Sequence, residues 1–360
     1  MNTMKKATRI PERPMTIDDL IALDNTPDGE EPAKLVALRN AVPRISALDA
    51  KAKPNVQLKN VTGRNVWELG LAKDFVLGEL GETAEALPRP RSATSTREFE
   101  PSIPKWSGVT YHPKLSAPRP RRQFRRVKGQ RVRPDYIFGS DDRQVYYPSG
   151  YPWRCVGLVL VWTNPSGGPA WSGAGALVGK NVVLTASHVC PWGSSPWMMQ
   201  FIPAYYDGSS LSGVSSYVQT YRGYKDHGQG DDMCTLKLYT PLGDSLGYFG
   251  YKTYHDSWED GDYWTKCGYP GAVASGQRPS RITSFPITDD DNDGAGVELE
   301  YKADSSGGDS GGPVFGWWNG SPYVIGAHSG GEDNFGEPKQ NVAAGGGALS
   351  SLIAWARSNW

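Results

Sequence analysis

Past residue 135 the chain alternates short apolar runs with clusters of glycine, proline and small polar residues, the pattern of strands joined by turns. Cys155–Trp162 is an unbroken run of the kind that forms a buried strand. Ala176–Ala186 holds two short strands around Gly179-Lys180-Asn181. Comparable runs recur at Tyr217–Tyr221, Cys234–Leu238, Tyr263–Gly268, Val297–Tyr301, Pro313–Trp318 and Tyr323–Ala327. The last segment, Ala348–Trp360, changes period: Leu349, Leu352, Ile353 and Trp355 fall on one side of a helix. Many short strands closed by one terminal helix predict an all-β fold of barrels or a sandwich.

Residues 1–135 read differently. Thr16 is an N-cap candidate ahead of Ile17-Asp18-Asp19-Leu20-Ile21, with two carboxylates in the first turn where the helix dipole favours them. A second helix is expected from Asn65 to Ala86, with Val66, Leu69, Phe75, Leu77 and Leu80 as its apolar residues. From Leu87 to Pro134 prolines recur too often for regular structure, which predicts an extended connector. The chain therefore divides into a partly helical segment with its linker, 1–135, and a β domain, 136–360.

Composition narrows the function classes. The 360 residues include 43 Gly and 28 Pro, as turns demand, and 13 Trp within a 38% hydrophobic content, enough for a packed core. No stretch approaches 18 uninterrupted apolar residues, so no membrane helix is expected. Lys plus Arg equals Asp plus Glu at 38 each, but the balance hides a split. Residues 1–135 carry 25 basic against 16 acidic side chains, and residues 136–360 carry 13 against 22. Opposite charges suit a first part that docks on the second; the alternative is a basic arm for anionic partners. The cluster Arg121, Arg122, Arg125, Arg126, Lys128, Arg131 and Arg133 lacks aromatic platforms and any known module, so no nucleic acid is expected. It reads equally as a protease-sensitive hinge. The basic start, Met1 to Arg9, has no apolar stretch behind it and does not match a signal peptide.

Three local sequences carry chemistry. His188 ends the run Leu184-Thr185-Ala186-Ser187. Asp232 precedes the strand Cys234–Leu238. Ser310 lies in Gly307-Gly308-Asp309-Ser310-Gly311-Gly312-Pro313, a glycine turn feeding a strand. Taken singly, each has a bland reading: a structural histidine, a turn aspartate, a glycine-rich loop. Their order, and spacings of 44 and then 78 residues, match a nucleophile, its base and the group that orients the base. Ser310 is the nucleophile, His188 the base and Asp232 its partner. Gly308 and Gly311 let the backbone turn the N–H groups of Gly308 and Ser310 toward a developing oxyanion.

At these residues the chain resembles the chymotrypsin-like serine proteases, and within them the bacterial secreted glutamyl endopeptidases. The resemblance spans about residues 136–360 and includes Gly139-Ser140-Asp141-Asp142-Arg143, Gly247–Tyr251, Gly268-Tyr269-Pro270-Gly271 and Gly326–Gly331. It implies two six-stranded β-barrels with a C-terminal helix and the site between them. It also implies a secreted, monomeric zymogen whose propeptide-like residues 1–135 inhibit it until cleavage between about Arg126 and Tyr136. Substrates would be proteins or peptides, cut after Glu with Asp second. His328, Ser305, Ser329 and Gly330 match positions that line the primary specificity pocket, where an imidazole N–H and a hydroxyl can donate to a carboxylate.

Two departures from that pattern open alternatives. Asp309 stands before the nucleophile, as in trypsin-like enzymes, and is expected to pair with a freed α-amine near Tyr136. Asp304 stands where trypsin-like enzymes hold Arg or Lys, so cleavage after basic residues is the second reading, with Asp304 otherwise paired or turned away. A third reading, a non-catalytic binding homologue, would be favoured by a substituted triad, and none of the three residues is substituted.

No cofactor is required by this chemistry. Asp289, Asp291, Asp293, Gly294 and Glu300 nevertheless fit the D-x-[DN]-x-[DN]-G-x₅-E pattern of a structural calcium loop; the alternative is a solvated acidic hairpin. The four cysteines are not spaced as a metal cluster. Cys190 and Cys234 each follow a catalytic residue by two positions, so Cys190–Cys234 with Cys155–Cys267 is the favoured pairing among three, in an oxidising compartment.

Overall fold

A computed structural model describes residues 12–23, 30–39, 80–89, 97–118, 135–164, 167–332 and 339–360, and the backbone of three strands between residues 42 and 72. The chain is mostly β. One sheet joins Val156–Trp162, Trp171–Leu177, Val182–Thr185, Met198–Pro203, Ser216–Tyr224 and Cys234–Leu238, and it closes because Ser216–Tyr224 also pairs with Cys234–Leu238. This is a six-stranded barrel. The second sheet runs through Ile287–Asp293, Gly296–Tyr301, Gln340–Gly345, Ser321–Glu332, Pro313–Trp318, Trp264–Gly268 and Ser280–Phe285 to the short Gln144–Val145. The helix Gly346–Asn359 ends the chain and buries Leu349, Leu352 and Ile353.

The local sequence accounts for these elements. In Val156–Trp162 the valines and Leu158 are buried on both faces, with Val156, Val159 and Val161 at 0% exposure, and Leu160 is partly buried. Trp171–Leu177 brings Gly173, Ala174, Gly175 and Ala176 alongside, small enough to let the barrel wall close around larger neighbours. The second half fills its interior with aromatic rings. Trp258, Trp264 and Trp318 pack with centroids 5.1–6.2 Å apart in tilted or edge geometry, the arrangement the ring quadrupoles favour.

The early residues are knitted into both halves. The helix Ile17–Ile21 has the expected Thr16 cap: its hydroxyl accepts from the Asp19 N–H, and the Asp19 carboxylate accepts from the Thr16 N–H at 2.8 Å. Leu20 is buried, and the Met15 N–H donates to the Trp317 carbonyl. The helix expected over 65–86 is not formed. Arg64–Ala72 is a strand between Val42–Leu48 and Asn55–Val61, and Thr83–Leu87 is a strand lying parallel to Ser216–Tyr224. Trp67, Leu69 and Leu71 recur with period two, and pairing partners on both sides decided in favour of that period. Residues 97–118 form no helix or regular strand, turn at 105–107, and meet the β domain through bridges at Phe99–Tyr251, Ser102–Tyr248 and Leu115–Tyr146. The basic cluster from Arg121 to Arg133, and most of the stretch expected to be cleaved, lie outside the described residues.

The expected disulfides are not made; all four cysteines are buried free thiols. Cys190 and Cys234 do lie close together, because Thr185 pairs with Cys234 across neighbouring strands, and their thiols donate to the carbonyls of Ala186 and Arg222. Cys155 instead donates to the carbonyls of Leu246 and Gly247, and Cys267 lies against Tyr146. Burial raises the pKa of Cys155, Cys190 and Cys267. Among the described residues no helix is long and apolar enough to cross a membrane.

Candidate active site

The strand Val182–Thr185 runs into a single 3₁₀ turn, Ser187–Val189, which leaves the His188 side chain 34% exposed at the rim of the barrel. The adjacent strand starts at Cys234, so Asp232 arrives beneath the imidazole, fully buried. Its Oδ2 lies 2.7 Å from His188 Nδ1, and its Oδ1 accepts from the His188 backbone N–H at 3.0 Å. Ser329 Oγ donates to Oδ2 at 2.6 Å. Burial alone would raise the pKa of Asp232. The charge and hydrogen bond of His188, then His227 and Ser329, reverse that and hold it well below the ordinary carboxylate range. His227, five residues earlier in the chain, has its Nε2 3.5 Å from Asp232 Oδ1. A lone histidine in a polar loop gave no signal for that place.

Ser310 is brought to the same rim by a turn that only glycine permits. Gly308 has φ +109°, and a Cβ there would meet the Tyr269 carbonyl at 2.3 Å. Gly311 has φ +80°, and a Cβ there would lie 2.2 Å from Thr185 Oγ1, close to the end of the strand that carries His188. The Ser310 carbonyl accepts from the Ala174 N–H at 2.7 Å, which ties the turn to the barrel wall. Among the described residues, the N–H groups of Gly308 and Ser310 bond to no carbonyl or side chain of the chain.

Asp309 supports this turn from below through side chains of the intact chain. Its Oδ2 lies 3.0 Å from Arg143 Nη1 and 3.4 Å from Lys266 Nζ, and accepts from Ser305 Oγ and the Ser306 N–H. Burial acts to raise its pKa, yet Lys266 and Arg143 lower it overall. The Tyr136 N–H is engaged elsewhere, donating to Asn341 Oδ1 at 3.0 Å. In the intact chain, then, Asp309 is held by the side chains of Arg143, from the Gly139–Arg143 motif, and Lys266.

The pocket residues separate into two roles. His328 is fully buried, with Nε2 2.6 Å from Ser305 Oγ and Nδ1 2.7 Å from the Tyr301 hydroxyl. Asp135 brings its Oδ1 to 3.0 Å from the same Nε2. Asp304 is buried and paired: its Oδ1 accepts from the Phe138 N–H and its Oδ2 from the Asp142 N–H. Ser329 sits at a register shift between His328 and Gly330, and this bulge turns its hydroxyl to Asp232. Its side chain therefore bonds to Asp232. Gly330 continues the strand opposite Val342. Tyr301, Asp135 and Lys266 escaped the sequence reading, because each meets its partner through contacts far apart in the chain that spacing does not encode.

The four calcium candidates do not converge in a loop. Residues 287–301 are a hairpin closed at Asp293–Gly296, with Asp289 opposite Glu300 and Asp291 opposite Glu298. Alternate residues of a strand stand roughly 6.6 Å apart, so the carboxylates are spread along a ladder. Asp293 pairs with Arg89. Glu300 gathers instead with Glu298 and Glu332, and burial followed by Glu332 pushes Glu298 up to about 7 and Glu300 up to about 8.

Comparison with known proteins fits this geometry. The trypsin family model matches residues 159–346. The chain is 27% identical over 188 residues to a glutamyl endopeptidase of Bacillus licheniformis, covering 50% of this chain and 54% of that protein. It is 26% identical over 200 residues to a Bacillus subtilis protein named extracellular metalloprotease, covering 52% and 59% respectively. The chain thus spans little more than half the length of either. A solved Glu endopeptidase in complex with MPD superposes with a TM-score of 0.51 at 18% identity, over 62% of this chain and all of that one, and shows the shared fold.

Proposed function

The chain belongs to the trypsin family, a family of chymotrypsin-like serine proteases, and on that premise we propose that it is an endopeptidase cutting after glutamate, with aspartate second. Ser310 Oγ attacks the scissile carbonyl carbon while His188 Nε2 takes its proton. The imidazolium so formed is stabilised by Asp232, which stays ionised. The N–H groups of Gly308 and Ser310 donate to the oxyanion. When the C–N bond breaks, His188 returns the proton to the leaving amine. Water then repeats the sequence on the acyl-serine and frees the acid.

The observation that carries the glutamate reading is the carboxylate of Asp135 lying 3.0 Å from His328 Nε2, beside Ser305. The chain's own acid sits on the group that would read the substrate's. Asp304, the basis for basic specificity, has both oxygens taken up by backbone N–H donors. The same contact supports a zymogen inhibited by its own N-terminal segment: Asp135 competes for the pocket until the chain is cut nearby. Such an enzyme would act outside the cell, as the name of the Bacillus subtilis relative says of that protein.

Peptide-library profiling before and after cleavage between residues 126 and 136 tests this reading. Cleavage should raise activity by orders of magnitude, products should end in Glu and then Asp, and His328→Ala should lose that preference by about a hundredfold. Products ending in Arg and Lys would hand the pocket to Asp304. An uncut chain as active as the cut one would remove the inhibitory role.

A further inference from the structure

Tyr301 and His328 come from strands on either side of Gln340–Gly345: Tyr301 pairs with Asn341, and His328 with Ala343. Both side chains are fully buried, and the Tyr301 ring is braced on Phe285 at 5.2 Å between centroids. Burial, and then Lys266, disfavour the charged form of His328, so the ring is neutral and carries one N–H. The neighbours decide where it is. Nε2 faces the Asp135 carboxylate, which cannot donate. It also faces Ser305 Oγ, whose hydrogen is directed to Asp309 Oδ2 at 3.2 Å. Two groups offering lone pairs place the hydrogen on Nε2. Nδ1 is then an acceptor, and the Tyr301 hydroxyl at 2.7 Å is its donor.

We propose that Tyr301 is a positioning residue for substrate selection: by donating to Nδ1 it fixes His328 in the tautomer whose Nε2–H faces the substrate carboxylate. This role rests on the glutamate reading of the pocket. Burial also raises the pKa of Tyr301 itself, so the phenol remains a donor throughout the working pH range. A phenylalanine would keep the ring contact with Phe285 and remove the donor alone. Nδ1 would then be a buried acceptor without a partner, and the tautomer with a lone pair on Nε2 would compete. That tautomer repels a carboxylate.

The full chain contains five histidines, so nitrogen-15 labelling of histidine resolves the rings individually. The wild-type spectrum should show His328 protonated at Nε2 and bare at Nδ1. Tyr301→Phe should show a mixture. On the cleaved enzyme, paired substrates with Glu or Gln before the scissile bond should show the Glu:Gln ratio of kcat/KM falling about tenfold in Tyr301→Phe, through KM for the Glu substrate. A merely structural role would lower both substrates alike and leave the ratio unchanged. If wild-type enzyme prefers Glu and Tyr301→Phe keeps that ratio, the role of Tyr301 is wrong and the pocket reading stands. If wild-type enzyme shows no preference for Glu, both fall. A wild-type spectrum with hydrogen on Nδ1 overturns the proposal even if the variant fails to fold.

Discussion

His188 and His328 each have an Nδ1 atom 2.7 Å from an oxygen, yet the two oxygens differ in charge. At His188 the oxygen belongs to a buried carboxylate held below its ordinary range, so a proton gained at Nε2 is compensated at once. At His328 it belongs to a phenol, which brings no charge of its own to offset a proton gained by the ring. The first arrangement makes a base that can cycle. The second makes a fixed donor. Exposure follows the same division, with His188 34% exposed and His328 fully enclosed. Ser329 joins the two: it follows His328 in the chain and donates to Asp232. Identical distances thus accompany different electrostatics, and the charge of the Nδ1 partner separates the two rings.

The comparison breaks most completely at Asp232. Asp232→Asn replaces the charged partner by a neutral one, which makes His188 resemble His328. Its kcat should fall by about 10⁴, with the Glu:Gln ratio kept. Wild-type turnover in that variant would show that charge is not what distinguishes the two rings. Ser329→Ala removes one donor from the buried carboxylate and should lower kcat about tenfold, again without changing the ratio. A change in the ratio would instead place the hydroxyl in the pocket.

The smallest effect is one of stability. The pKa of His328 is lowered in the fold, so the unfolded chain takes up a proton near its ordinary value of about 6.5 before the folded chain does. The unfolded state then holds more protons, and His328 costs stability as pH falls below that value. His328→Gln should therefore lose less than wild type between pH 7.5 and 5.5, with the drop in Tm smaller by about 2 °C. Equal drops in both proteins would mean that the folded ring protonates freely.

The catalytic geometry was largely legible in the sequence because local signals fix it. An apolar strand delivers His188, a strand start delivers Asp232, and a glycine turn whose positive φ angles exclude side chains delivers Ser310. The pocket was legible only through family resemblance. That resemblance pointed to His328 and Ser305, which the structure brings into contact, but not to Tyr301, which lies 27 residues from His328 and meets it across an intervening strand. The acidic hairpin misled for the opposite reason. The spacing of its carboxylates suits a loop, but the strand pairing of Gly296–Tyr301 with Gln340–Gly345 holds it in a sheet. Thr83–Ala86 falls within the expected helix because the partner of this strand, Ser216–Tyr224, lies more than a hundred residues away.

That early strand has a bearing on how the molecule behaves in company. Met198–Pro203 pairs with Ser216–Tyr224 only at Ser216 and Tyr217, and from Thr220 to Tyr224 its place is taken by Thr83–Leu87. Arg222 pairs with Glu85 across this seam, and the two threonine hydroxyls of Thr83 and Thr220 meet there. Without the added strand, five residues of backbone would present an unpaired row of donors and acceptors, which is a template for a strand of another molecule. Thr83–Leu87 therefore covers an edge that could otherwise pair with a second copy of the chain. A cut near residue 135 that left Thr83–Leu87 seated would open the pocket and keep that guard in place.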